Sequence, residues 1–145
     1  MNINRTILTL GLASALLQMP APVFAQGSGT STNPLLQKSS LPFGAPDFSR
    51  IHESDYLPAI ETAIKVQRAN IQKIVDNKKK PTFANTILAY EESGVLLDRV
   101  SSVFFGLTSA HKTPVIADTE KKVMPLLTAL DNELSFNQSL LARIN

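Results

Sequence analysis

The sequence predicts an all-α protein, an antiparallel array of long helices. Three observations carry that prediction. Apolar residues recur at steps of three and four, most regularly at Phe83, Ile87, Tyr90, Gly94, Leu97, Val100, Phe104 and Leu107. Capping residues and prolines stand where helices would begin, at Ser54 and Pro58, at Thr82, and at Thr113-Pro114. No stretch alternates with the two-residue period of a strand.

Residues 1–25 read as a secretory signal peptide. Arg5 supplies the positive start, and Ile7 to Leu17 is an apolar run too short for a membrane span. Pro20 and Pro22 break it, and Val23-Phe24-Ala25 places small residues at the cleavage positions. The chain is therefore expected to be exported, periplasmic or secreted, with no stable membrane span after cleavage. Residues 26–49 follow as a polar linker, QGSGTST, and an arm that Pro34, Pro42 and Pro46 keep from becoming a regular helix. Leu35, Leu36, Leu41, Phe43 and Phe48 in the arm are expected to pack on a helical body. Phe43-Gly44 also reads as a ligand loop, but packing is the stronger reading.

Residues 50–145 form the helical part. The first helix is expected over Glu53 to Asn77, capped by Ser54, with Asp55 in its first turn and Leu57, Ile60, Ile64, Ile71 and Ile74 as its buried stripe. Lys65, Arg68 and Lys73 face solvent, and Lys78-Lys79-Lys80 make a solvated turn. The second helix is expected as one spine from Phe83 to Ala110, roughly 42 Å long at about 1.5 Å per residue. Everything else would pack along it. Gly94 and Gly106 inside it each cost about 1 kcal/mol relative to Ala, which close approach by another helix would offset. A third helix starts at Thr113-Pro114 with Ile116, Val123, Leu127, Leu130 and Leu134 inward and a kink at Pro125. After a turn at Ser135-Phe136-Asn137, Asn137 caps a short last helix through Leu140, Leu141 and Ile144. The sequence stops within that pattern, as a fragment would.

The totals exclude more than they assign. Fourteen basic and 12 acidic residues give a net charge of +2, so there is no broad electrostatic footprint for nucleic acid. Cysteine is absent, which removes disulfides and a thiol nucleophile. His52 and His111 are the only histidines, far apart in sequence and outside any H-E-x-x-H pair. His111 suits the end of the spine helix. Glu91, Glu92 and Asp98 read as a solvated face, since neighbours on a helix diverge. Gly27-Ser28-Gly29 lies in the linker and makes no phosphate loop, and Asn137-Gln138-Ser139 is a bare glycosylation sequon. No catalytic, metal or cofactor-binding residue is assigned.

Asn33-Pro34-Leu35-Leu36, with LPFGAPDFSRI from Leu41 to Ile51, resembles the N-terminal arm of peptidyl-dipeptidases of the thimet oligopeptidase family. PTFANTILAYEESGVLLDRVSSVFFGLTSAH from Pro81 resembles their long N-terminal helix, and LSFNQSLLARI from Leu134 continues the match. The resemblance implies a helical lobe lining a deep channel for short peptides. It also implies a zinc metallopeptidase that removes dipeptides from peptide C-termini. The family's zinc ligands and general base have no counterpart here, so no residue is carried over and zinc is not expected to bind this segment. The reading is of an incomplete N-terminal helical lobe, not catalytic alone, whose partner is a missing C-terminal catalytic lobe. The alternative is a stand-alone secreted helical binding module derived from such an enzyme.

Overall fold

The computed structural model describes residues 32–144; the expected signal peptide and most of the linker lie outside them. Among the described residues every regular element is helical. The α-helices are α1 (Tyr56–Asp76), α2 (Ala89–Ser93), α3 (Val95–Ala110), α4 (Pro114–Ser135) and α5 (Gln138–Ile144).

The hub is α1, not the expected spine: α1 packs against α2, α3, α4 and α5. Its buried face is Tyr56, Ala59, Ile60, Ala63, Ile64, Ile71 and Ile74. Ala59 and Ala63 add little to an apolar count, yet their small side chains let neighbouring helices approach. Tyr56 meets Phe104 with ring centroids 5.4 Å apart, and Gln67 meets Gly94, so α3 runs antiparallel to α1. Thr113 at the start of α4 bonds Glu53 just before α1, and Arg68 pairs with Glu133 near the far end of α4 at 2.7 Å. Hence α4 runs parallel to α1, completing an up-down-up arrangement. Leu97, Val100, Phe104, Ile116, Val123 and Leu130 close one core with α1. Ile71, Ile74 and Leu140 close a second at the other end, where Arg143 donates to the carbonyls of Asn77 and Lys79.

The spine itself comes in three pieces. Phe83–Leu88 winds as a π-helical turn, and Gly94 separates α2 from α3. Thr82 does cap the entry: its hydroxyl accepts from Asn85 N at 3.2 Å while the Asn85 side chain accepts from Thr82 N at 2.9 Å. A π turn holds extra residues and shifts the register of the face. Phe83 is consequently 72% exposed, against the expected stripe, and Thr86 is buried instead. The Thr86 hydroxyl is satisfied by donating to Asn85 Oδ1 at 2.8 Å.

The start of α1 also differs from expectation. Glu53–Asp55 is a 3-10 turn, and the Asp55 carboxylate, not Ser54, accepts from a free backbone donor, His52 N, at 2.8 Å. The cap of α4 is as expected, Thr113 Oγ1 accepting from Ile116 N at 3.2 Å, and α4 continues through Pro125 to Ser135. Asn137 caps α5, its Oδ1 accepting from Leu140 N at 2.9 Å.

In the arm only Leu35 is buried, with Leu36 half-buried; Leu41, Phe43 and Phe48 are exposed. The anchor is polar. Asn33 Nδ2 donates to the Asp55 carbonyl at 2.7 Å, and Arg99 of α3 donates to the Leu35 carbonyl at 3.3 Å. Past Leu36 the arm turns away at Pro42–Gly44, where Phe43 and Gly44 have φ of 60° and 69°.

Candidate functional site

The arm and α3 enclose a cavity of about 260 Å3. Its arm side is shaped by a pinned loop. Ser39 Oγ donates to the Ala45 carbonyl at 2.5 Å and accepts from Leu41 N at 3.1 Å, closing residues 39–45. The apolar part of the lining includes Leu35, Pro46, Ile51, Val100 and Val103. The charged part is Lys38, Arg50 and Arg99, with one acid, Asp47. Asp47 Oδ1 is engaged by Ser49, accepting from its N at 3.2 Å and its hydroxyl at 2.6 Å. Among the described residues none of the three cations is paired with a carboxylate. Nothing in the sequence signals this grouping. Arg99 sits beside the apolar stripe of α3, and only the folding-back of the arm brings Lys38 and Arg50 to it.

A second, more open concavity lies where α1 meets the π turn, lined by Asn70, Lys73, Asn77, Asn85 and Glu92 among others. Glu91, Glu92 and Asp98 are exposed, matching the solvated-face reading, and so are Lys78, Lys79 and Lys80. His111 follows α3, its N donating to Leu107 O at 2.7 Å, and is exposed, as is His52. The structure does bring their segments together, since Thr113 Oγ1 donates to Glu53 Oε1 at 2.7 Å. Among the described residues, however, no three of His, Cys, Asp and Glu are grouped to hold a metal ion. The zinc implied by the resemblance therefore has no ligand set among the described residues. Of the titrating groups, Tyr56 is held above its ordinary value, by burial first and then by the charges of Asp55 and Glu53.

No protein-family model matches the chain. Curated relatives do. The dipeptidyl carboxypeptidase of Salmonella typhimurium is 43% identical over 115 residues, 79% of this chain and 17% of the relative. The dipeptidyl carboxypeptidase of Escherichia coli is 40% identical over 116 residues, 80% and 17%. The chain belongs to the peptidyl-dipeptidases of the thimet oligopeptidase family. Oligopeptidase A of Escherichia coli is a more distant relative, 30% identical over 67% of this chain and 14% of its own. The chain thus spans about a sixth of the length of the dipeptidyl carboxypeptidases it matches.

Proposed function

We propose that this chain is the helical, channel-wall part of an exported peptidyl-dipeptidase, an enzyme that removes dipeptides from the C-termini of short peptides. The observation that carries the reading is the 43% identity to a dipeptidyl carboxypeptidase across most of this chain and a sixth of the relative. In this reading the zinc and the catalytic groups belong to a further catalytic lobe, and residues 33–145 supply a wall that admits peptides by size. Export follows from the signal-peptide pattern of residues 1–25, with Gln26 as the new terminus in the periplasm.

One observation favours a second reading, a stand-alone secreted helical binding module. α1, α3 and α4 close a core of their own in which Ala59, Ile60, Val100, Phe104, Ile116 and Val123 have no exposure. Two measurements on the purified chain separate the readings. In the first reading it releases no dipeptides, and a dye for apolar surface binds it. A cooperative melt without dye binding favours the module. N-terminal sequencing of exported material tests the cleavage after Ala25, and a protein still beginning at Met1 contradicts it.

A further inference from the structure

We propose that the cavity between the arm and α3 is a binding site for a small organic anion, one carboxylate or phosphate on a compact apolar body. The inference is independent of the peptidase reading, since it stands on the cavity alone.

Three cations from three separate segments line one concavity: Lys38 between the two arm turns, Arg50 after the second, and Arg99 on α3. Three cations outnumber the single carboxylate of Asp47, so the lining keeps a positive excess, and a concave wall of low polarisability focuses its field. Asp47, the acid in the lining, has one carboxylate oxygen already accepting twice from Ser49. Arg99 is oriented by its bond to the carbonyl of the buried Leu35, which fixes one edge of its guanidinium. A guanidinium offers five donors in a planar fork suited to carboxylate or phosphate. Pro46, Ile51 and Val103, each partly exposed, offer an apolar surface for the rest of the ligand, with buried Leu35 and Val100 behind them. The cavity volume of about 260 Å3 lies just below the roughly 300–1,000 Å3 of drug-sized sites, so the occupant is small. The loop closed by Ser39 and Ala45 keeps the arm wall in place before a ligand arrives.

The test is calorimetric titration of the whole chain with benzoate, phenyl phosphate and inorganic phosphate, alongside the thermal shift each produces. Benzoate or phenyl phosphate is expected to bind, and phenyl phosphate more tightly than inorganic phosphate because of the apolar wall. Arg50→Gln should weaken binding about tenfold, the loss of one charge-assisted hydrogen bond. Lys38→Gln should weaken it in the same direction. The side chains of Arg50 and Lys38 are exposed and make no hydrogen bond or ion pair among the described residues, so these variants are expected to fold even where Arg99→Gln, which frees the Leu35 carbonyl, does not. Replacing Lys78, Lys79 and Lys80 by Gln should leave binding unchanged. Absence of binding by both organic anions overturns the proposal. So does binding that survives Arg50→Gln and Lys38→Gln, or that is lost with the three lysines.

Discussion

Gln67 on α1 stands where a side chain on Gly94 would need to be: its Nε2 lies 3.0 Å from the point a Cβ there would take. The amide oxygen of Gln67 is buried and has no hydrogen-bond partner among the described residues. Gly94 thus marks a close approach of α1 to the junction of α2 and α3. Gly106 has nothing within 4 Å of the same point, contrary to the expectation of a helix packed on it.

The two glycines should therefore respond oppositely to alanine. Gly106→Ala is expected to stabilise by about 0.5–1 kcal/mol, the propensity gain of an open helical site. Gly94→Ala should show no gain or a loss, because the Gln67 amide must move in a packed interface. Adding Gln67→Ala to Gly94→Ala should recover part of the gain. Urea unfolding measures all three. A stabilisation by Gly94→Ala equal to that of Gly106→Ala contradicts the account of the close approach.

Two phenylalanines make a second contrast. Phe104 is fully buried against Tyr56 and Phe105, so Phe104→Ala should cost about 3–5 kcal/mol. Phe43 is fully exposed at φ 60°, a left-handed conformation that costs a non-glycine residue roughly 1–2 kcal/mol. Phe43→Gly should leave the chain as stable or up to about 1 kcal/mol more so. A clear loss on Phe43→Gly means that Phe43 packs against this chain after all.

The legible part of this fold was what lies in local sequence. Thr82, Thr113 and Asn137 are caps because each side-chain oxygen meets a free backbone N–H within three residues. The stripe of α4 was readable because Ile116, Val123 and Leu130 keep a regular helical spacing. What escaped was non-local or irregular. The π turn at Phe83–Leu88 breaks the 3.6-residue period, so Phe83 and Thr86 exchange places. The role of α1 as hub adds Tyr56, Ala59 and Ala63 to the isoleucine stripe that the helical spacing shows. The cavity lining needs Arg99 to meet Lys38 and Arg50 across a fold-back of the arm, for which local sequence holds no sign.

Tyr56 sets a pH limit. Its phenol is buried beside Asp55 and Glu53, and ionisation would place a third negative charge there. The folded value is raised above the ordinary 10.0, so this contribution to stability is fully present below about pH 10 and is lost as pH rises through the folded value. Tyr56→Phe should remove that part of the alkaline loss, leaving a flatter stability profile from pH 9 to pH 11 than the parent chain. Parallel profiles for the two proteins contradict the assignment.

The central claim is that these helices are a working segment of a peptidyl-dipeptidase. The most direct measurement replaces the corresponding segment of the Escherichia coli dipeptidyl carboxypeptidase with residues 33–145 of this chain and follows dipeptide release from a short peptide. The account predicts release that a chelator abolishes, and none from the isolated chain. A chimera that folds correctly yet releases no dipeptide, or an isolated chain that does so after rigorous purification, contradicts it.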